Sequence, residues 1–259
     1  MNLSGNTVLI TGGSSGIGLE LAGAFVTRGN TVLITGTNRV HLDAAQSRLP
    51  TVACFESDVA DPDAVVRLRS TVLRDFPGLN VIVNNAGIMQ MIDFRSGDVD
   101  DSRLVREIAT NLIGPIRMTT AFLPHLETRD RAAIVNVTSG LAFVPLPVAP
   151  VYCATKAGMH SFTESLRVQL RGSNVNVFEV APPITATHLY GADGSIERLG
   201  LPKPMDPHAV AERIMAGMEK NERLICPGAS NALRLMSRIA PNLVLRRFGK
   251  TVDRLFGQA

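Results

Sequence analysis

The sequence predicts an α/β fold, in which a doubly wound parallel sheet of about seven strands carries helices on both faces. Short apolar runs rich in β-branched residues recur along the chain, and segments with helical periodicity lie between them. Most of the runs lack polar alternation, which is typical of strands that are covered on both faces. Such alternation of strands and helices gives a parallel sheet with right-handed crossovers.

Six strands can be located individually. The first is 7–11, and the others are 31–35, 51–55, 80–84, 132–137 and 174–180. A helix is predicted from Gly16 to Arg28, and another begins at Asp61-Pro62, since aspartate caps a helix and proline suits its first position. The irregular stretch 182–207 follows the sixth strand. We predict that it forms a lid, because ligands bind beyond the carboxyl ends of the strands in open α/β sheets.

The composition is that of an ordinary globular chain. Of 259 residues, 45% are hydrophobic and 19% are charged, which excludes collagen-like, disordered and disulfide-scaffold classes. The cysteines (54, 153 and 226) lie far apart and the histidines lack metal-ligand spacing, so we expect no metal site and a reducing cytoplasm. No apolar stretch has the length of a membrane-spanning helix. The net charge of +3 gives little reason to expect nucleic acid as a partner.

With no linker or repeat, we expect one domain over 1–259, comprising a core of 1–230 and a basic amphipathic helical extension of 231–259. The extension holds six cations and a single anion, so the core is slightly acidic. The favoured interpretation is helices that pack on the sheet domain or on a neighbouring subunit. Peripheral contact with an anionic membrane or an acidic carrier protein remains the alternative.

A glycine-rich turn directly follows the first strand and precedes a helix. Glycines permit a tight turn and close approach of the backbone, and the helix offers free N–H groups and a positive dipole end to a pyrophosphate. The turn therefore predicts a Rossmann-type dinucleotide site. Its predicted contacts are Gly12, Ser14, Ser15, Gly16, Ile17 and Gly18.

Tyr152 and Lys156 are four residues apart, so on a helix they project from one face. The nearby ammonium favours the phenolate and brings the pKa of the tyrosine toward the working pH, where proton exchange is efficient. Ser139 follows the fifth strand, where its hydroxyl could donate to a substrate oxygen; Thr138 is the rival for that role. Asn111 lies inside a predicted long helix, where asparagine is unfavourable, so a functional role is expected for it.

Four motifs together resemble the classical short-chain dehydrogenase/reductase family over about residues 4–225. They are Thr-Gly-x-x-x-Gly-x-Gly at 11–18, Asn-Asn-Ala-Gly at 84–87, Ser139, and Tyr152-x-x-x-Lys156. Segments 109–115 and 180–183 are similar to the DltE-like branch. The resemblance implies that Tyr152 is the general acid or base, that Lys156 also holds the cofactor ribose, and that Asn111 distorts its helix and orders a water for proton relay.

Further cofactor contacts are implied by the same resemblance. Asp58 would accept a hydrogen bond from the adenine amino group, and Thr187 would meet the nicotinamide amide. The full additional set is Asp58, Val59, Asn85, Ala86, Gly87, Pro182, Ile184 and Thr187. The chain has Pro183 where the family usually has glycine, and this proline removes an N–H and fixes φ.

The end of the second strand bears on the choice between NAD and NADP. An acidic residue there binds the ribose 2′-hydroxyl and repels a 2′-phosphate, but residues 35–39 include none. NADP is therefore favoured over NAD, with Thr37 and Arg39 placed toward the phosphate.

The predicted function is an NAD(P)(H)-dependent oxidoreductase, a carbonyl reductase or alcohol dehydrogenase for a small apolar ketone or alcohol. Apolar residues beside the site either line a substrate pocket or pack within their loops: Phe143, Val144, Leu146, Pro147 and Val148, with Leu189 and Tyr190 of the lid. His160 is expected at a helix surface or an interface. The alternatives are reduction or non-redox chemistry on a biosynthetic, carrier-tethered intermediate, and a cofactor-binding regulator. The resemblance also implies a homodimer or homotetramer paired through the helices of Asn111 and Tyr152.

Overall fold

Seven parallel strands form one sheet in the computed structural model, which describes residues 1–190 and 199–257, with the side chain of residue 190 left aside. The order is β3-β2-β1-β4-β5-β6-β7, which confirms the doubly wound parallel sheet. The strands are β1 (Thr7–Ile10), β2 (Thr31–Gly36), β3 (Ala53–Glu56), β4 (Leu79–Asn84), β5 (Ala132–Val137), β6 (Val175–Val180) and β7 (Leu224–Ile225).

The helices follow the strands in the predicted alternation. In the described part of the chain they are α1 (Gly16–Val26), α2 (Arg39–Arg48), α3 (Pro62–Asp75), α4 (Asp101–Ile108), α5 (Gly114–Leu126), α6 (Pro150–Gln169), α7 (Pro207–Glu219), α8 (Ser230–Ile239) and α9 (Pro241–Phe256). A π-helical turn, Ala109–Ile113, joins α4 to α5. Asp61 caps α3 as predicted, because its side chain accepts a hydrogen bond from the Asp63 N–H.

Two hydrophobic layers cover the sheet because successive strand residues point to opposite faces. Val8 and Ile10 of β1 pack with α1, α2 and α7 on one face, in a layer that includes Phe25. Leu9 packs with α3, α5 and α6 on the other, in a layer that includes Phe122. Burial on both faces explains why these strands lack polar alternation.

The strand order reverses between β1 and β4. The chain builds β1, β2 and β3 outward in one direction and then crosses back to place β4 on the other side of β1. Connections from the two strands therefore diverge at their carboxyl ends and leave a crevice, which is the usual ligand position in such sheets. Thr11 borders this crevice, where its N–H donates to the Val83 carbonyl at 3.0 Å.

Helices α8 and α9 close one side of the molecule near the end of β5. Leu233 of α8 lies close to Gly140, and Phe248, Leu255 and Phe256 of α9 pack on a buried cluster that includes Tyr152. The predicted lid, 182–207, is bridged by backbone pairing of Thr185 with Met205, although its residues 191–198 lie outside the described part. Within the described residues, every helix is too short or too polar to cross a membrane.

Candidate active site

A single cavity of about 550 Å³ occupies the crevice at the carboxyl ends of the strands. It runs from the glycine-rich turn, past the ends of β2, β3, β4 and β5, to α6 and the segment after β6. Of the twenty residues predicted for catalysis or cofactor binding, sixteen line it: Gly12, Ser14, Ser15, Gly16, Ile17, Thr37, Asp58, Val59, Asn85, Ala86, Gly87, Ser139, Tyr152, Lys156, Pro182 and Thr187. The other four, Gly18, Arg39, Asn111 and Ile184, are not among the described residues of its wall.

The glycine-rich turn is shaped by close backbone contacts. Gly12 has a φ of +63°, which favours glycine, and a Cβ there would lie 2.9 Å from the Ala86 Cα. A Cβ on Gly18 would lie 2.3 Å from the Gly12 carbonyl oxygen, so Gly18 supports the turn from behind. Ser15, at the N-cap of α1, makes no side-chain cap hydrogen bond, which leaves N–H groups of the first turn available to an anion.

Asn85 ties the end of β4 to this turn. Its side-chain amide donates to the Thr11 and Gly12 carbonyls at 2.9 and 3.0 Å. The backbone N–H groups of Asn85 and Ala86 both donate to the Thr11 hydroxyl. The two strand ends that border the crevice are thereby held at a fixed separation.

The end of β2 differs from expectation at Arg39, which was predicted to face a phosphate. Its guanidinium pairs instead with Asp43, one turn along α2, at 2.9 Å, and both side chains are exposed. Asn38 caps α2 by accepting from the His41 N–H, and Asn38, Thr37 and His41 line the cavity here. A helix-spaced carboxylate thus competes with a phosphate for this side chain, and the contact of Arg39 with the cofactor stays a prediction.

Asp58, at the end of β3, already has two partners. One carboxylate oxygen accepts from the Ala60 N–H at 2.9 Å, and the other pairs with Arg106 of α4 at 2.6 Å. Arg106 also lines the cavity. Arg106 was not predicted from the sequence, since it lies 48 positions from Asp58 and no motif links the two residues.

Tyr152 and Lys156 project from the same face of α6 into the cavity, as their spacing predicted. The Lys156 Nζ lies 5.7 Å from the centre of the Tyr152 ring and donates to the Val137 carbonyl at 2.8 Å. Lys156 is buried, and burial lowers its pKa from 10.5 to about 8 because removal from water penalises the ammonium.

The two hydroxyls at the end of β5 face different ways. Ser139 Oγ accepts from the Leu141 N–H at 3.1 Å, and Ser139 lines the cavity. The Thr138 hydroxyl donates toward Glu179 at 2.8 Å and contacts the Val180 carbonyl at 3.0 Å. Both residues line the cavity, but the Thr138 hydroxyl is engaged with β6, which favours Ser139 as the hydroxyl that would meet a substrate.

Asn111 lies in the π-helical turn, so the helix is distorted at this residue. Its side-chain oxygen accepts from the Ile88 N–H at 2.9 Å, and its amide donates to the Ile88 carbonyl at 2.8 Å and to Thr155 at 3.3 Å. Asn111 therefore clamps the segment after β4 against α6. One turn earlier, buried Glu107 accepts from the Gln90 N–H at 3.1 Å and extends the clamp.

A buried carboxylate behind the site escaped sequence analysis. Glu179 of β6 is fully buried, and its oxygens lie 2.9 and 3.0 Å from the Nδ1 of His160. This contact raises the pKa of His160. The sequence placed His160 at a helix surface or an interface; its ring is partly exposed, but it turns inward to Glu179 and against Phe143. A charged residue within a buried strand was the available signal.

The segment after β6 keeps an ordered path despite its second proline. The Pro182 carbonyl accepts from the Gly140 N–H at 2.9 Å, and the Pro183 carbonyl accepts from the Thr185 hydroxyl at 2.9 Å. Thr187 reaches back to the glycine-rich turn, where a Cβ on Gly16 would lie 2.9 Å from its methyl group. Ile184 uses its carbonyl to accept from the Met205 N–H.

The apolar wall near Tyr152 is built differently from the pocket expected. Leu146 and Val148 are buried in the cluster that contains Tyr152, so loop packing accounts for them. Leu189 lines the cavity as expected, together with Ile88 and Met89, and the side chain of Tyr190 lies outside the described part.

A doubly wound parallel sheet whose cavity joins a glycine-rich turn to a Tyr-x-x-x-Lys helix defines a Rossmann-type oxidoreductase that uses a nicotinamide dinucleotide. A model of the short chain dehydrogenase family matches residues 6–195. The chain belongs to the short-chain dehydrogenase/reductase family, in its DltE-like branch.

Known proteins agree with this assignment. The chain is 49% identical over 189 residues to "Uncharacterized oxidoreductase DltE" of Bacillus subtilis, covering 73% of this chain and 75% of that protein. It is 31% identical over 263 residues to dehydrogenase/reductase SDR family member 7B of Bos taurus, covering 92% and 79%. A short-chain dehydrogenase from Sphingobium yanoikuyae, solved in complex with NADPH, superposes with a TM-score of 0.80 at 28% identity, covering 93% of this chain and 94% of that one.

Proposed function

We propose that this oxidoreductase is an NADP(H)-dependent carbonyl reductase or alcohol dehydrogenase for a small apolar ketone or alcohol. The observation that carries the proposal is the continuity of one cavity from the glycine-rich turn to Ser139, Tyr152 and Lys156. A dinucleotide that binds by its pyrophosphate at the turn would extend toward these three side chains. Apolar lining from Ile88, Met89 and Leu189 supports an apolar substrate.

In the reductive direction, a bound nicotinamide cofactor would supply the hydride that the carbonyl carbon gains. Tyr152 donates its phenolic proton to the carbonyl oxygen, so that a ketone gains one hydride and one proton and becomes an alcohol. The Lys156 ammonium, 5.7 Å from the ring centre, stabilises the resulting phenolate. Ser139 donates a hydrogen bond to the same substrate oxygen.

Asn111 acts on this reaction through the backbone. Its clamp on Ile88 fixes the segment after β4, and its π-helical turn interrupts the regular hydrogen bonding of the helix beside α6. A carbonyl freed by such a turn can hold a water that passes protons from solvent toward Lys156. The reaction proposed for these four residues uses no metal.

The preference for NADP rests on the end of β2. Gly36, Thr37, Asn38 and His41 line the cavity there, and they offer a 2′-phosphate neutral donors and an imidazole without a carboxylate. Asp58, on the neighbouring strand, is occupied by Arg106 and the Ala60 N–H. The NADPH held by the Sphingobium relative supports the same choice. We assign the remaining cofactor contacts to the residues of the cavity wall; Arg39 would reach the 2′-phosphate by giving up its exposed ion pair with Asp43.

We also propose a homo-oligomer in the cytoplasm. Val105, Ile108 and Ile113 on α4 and the π-helical turn are large apolar side chains with substantial exposure, as expected of a face that a second copy covers. All three cysteines are free thiols, which suits a reducing compartment. A single monomeric mass in light scattering over the micromolar range would remove the oligomer from the proposal.

A panel of ketones, aldehydes and alcohols, assayed with NADPH and with NADH, tests the proposed function. We expect stoichiometric loss of reduced-nicotinamide absorbance with at least one apolar ketone, and a higher kcat/KM with NADPH than with NADH. Product formation without net change in that absorbance would replace redox chemistry by isomerisation or dehydration. Binding of NADPH with no turnover across the panel would favour a regulator.

A further inference from the structure

Helices α8 and α9 form a hairpin with two unlike faces. The inner face is anchored: Leu233 lies against Gly140, and Phe248, Leu255 and Phe256 pack on the buried cluster around Tyr152. The Arg254 guanidinium also turns inward and donates to the Leu199 carbonyl at 2.7 Å. This packing agrees with the favoured interpretation, in which the extension packs on the sheet domain. It involves the inner face of the hairpin and leaves the outer face exposed.

The outer face exposes large apolar side chains around the turn between the helices. Leu235, Ile239 and Leu243 are 58, 69 and 63% exposed. They lie within nine residues of the chain, and among the described residues the other group of comparable density is the face of Val105, Ile108 and Ile113 that was assigned above to a second copy. A concentration of this kind marks a surface that is covered by a partner.

Cations surround these apolar side chains. Arg238 lies beside Ile239, and Arg246, Arg247 and Lys250 follow Leu245 along α9, all of them exposed. None of these four forms an ion pair with any residue that the structure describes. The one acidic residue of the hairpin is Asp253, on the last turn of α9. The outer face thus combines exposed apolar side chains with cations, and on α9 the two share one side of the helix.

We propose that the outer face of the α8–α9 hairpin binds the surface of an anionic phospholipid bilayer, with both helices lying in the plane of the membrane. The apolar side chains would enter the boundary between headgroups and acyl chains, and the arginines and lysine would pair with lipid phosphates. Because no described helix can span a bilayer, the contact is peripheral.

Charge separates this occupant from the alternatives. In a two-fold contact between copies of this chain, the same patch would face itself and bring uncompensated arginines together. An acidic carrier protein would satisfy the cations but leaves the exposed apolar side chains unexplained. A bilayer with anionic headgroups satisfies both features at once, and this surface is independent of the reaction proposed above.

Co-sedimentation of the full chain with vesicles tests the proposal. The vesicles are phosphatidylcholine with about 30% phosphatidylglycerol, compared with phosphatidylcholine alone. We expect binding to the anionic vesicles that weakens with added salt, and at least about tenfold weaker binding to the neutral ones. Arg246→Glu/Arg247→Glu and, separately, Ile239→Ser/Leu243→Ser should each weaken binding by about tenfold or more.

Matched controls change equally exposed residues elsewhere. Arg131→Glu/Arg171→Glu carries the same change in charge, and Val40→Ser/Val66→Ser removes apolar side chains that are 73 and 61% exposed. Both should bind vesicles as the wild type does, and thermal unfolding should confirm that all four variants fold. Failure of the wild type to bind anionic vesicles at low salt overturns the proposal. An equal loss of vesicle binding in the control variants also overturns it. The same holds if the wild type binds an acidic carrier protein but no vesicles. It holds too if the wild type binds no vesicles and Ile239→Ser/Leu243→Ser forms a smaller oligomer, because the surface would then be a contact between copies.

Discussion

Glu107 makes the stability of this protein depend on pH in a way that one substitution can remove. The side chain is fully buried on α4, where one oxygen accepts from the Gln90 N–H and the other has no hydrogen-bond partner. Burial raises the pKa of Glu107 from 4.5 to about 7, against the smaller opposing effects of the Gln90 N–H and Arg103. The folded protein therefore holds this proton more tightly than the unfolded chain, and the stability it contributes is lost as pH rises from 4.5 through 7.

A rise in pKa from 4.5 to about 7 corresponds to as much as about 3 kcal/mol of lost stability at full ionisation. Glu107→Gln keeps an oxygen for the Gln90 N–H but cannot ionise, so its stability should lack this dependence. Any fixed cost of the new amide is the same at every pH and cancels from the comparison.

Urea unfolding of the cofactor-free protein near pH 5 and near pH 8 measures the effect. Between these conditions, the wild type should lose about 2–3 kcal/mol more than Glu107→Gln, which is about 4–12 °C in Tm for a chain of this size. Glu127→Gln, at an exposed position, is the control and should follow the wild type. Parallel pH profiles for the wild type and Glu107→Gln would refute the reasoning.

Three further substitutions test the cavity and its support. Gly18→Ala places a Cβ 2.3 Å from the Gly12 carbonyl oxygen, so it should lower the free energy of unfolding by about 1–3 kcal/mol, as measured by thermal unfolding. It should also weaken NADPH binding in a fluorescence titration, and an unchanged affinity would contradict the packing. Thr37→Asp puts a carboxylate at the end of β2 and should lower the ratio of NADPH to NADH affinity by about tenfold or more. Thr37→Asn is the control and should preserve the ratio. An unaltered ratio for the aspartate variant would oppose the proposed 2′-phosphate position. Glu179 raises the pKa of His160, so the stability from this pair is present at low pH and is lost as pH rises through the folded pKa. The unfolding free energy of the wild type should therefore exceed that of His160→Gln by more near pH 6 than near pH 8. An equal difference at both pH values would count against the pair.

The parts of the site that the sequence predicted are those that short-range spacing determines. Tyr152 and Lys156 meet because a helix brings residues four apart to one face. Gly12 and Gly18 frame their turn because a strand precedes it and a helix follows. The strand pattern came from burial on both faces of the sheet, and only β7 was not located, since two residues carry too little pattern to recognise.

The parts that the sequence missed depend on contacts between distant segments. Arg106 of α4 pairs with Asp58, which lies 48 residues earlier, and Glu179 of β6 pairs with His160 of α6. Neither pair has a spacing rule, because the partners are brought together by the order of strands and helices and not by local geometry.

Hydride transfer with and without the Tyr152 hydroxyl tests the central claim most directly. Once a ketone substrate is found, single-turnover oxidation of bound NADPH is followed for the wild type and for Tyr152→Phe, after fluorescence titration has shown that both bind NADPH. Loss of the proton donor should slow the step by about 100-fold or more. An unchanged rate in Tyr152→Phe would show that another group protonates the substrate oxygen and would contradict the account.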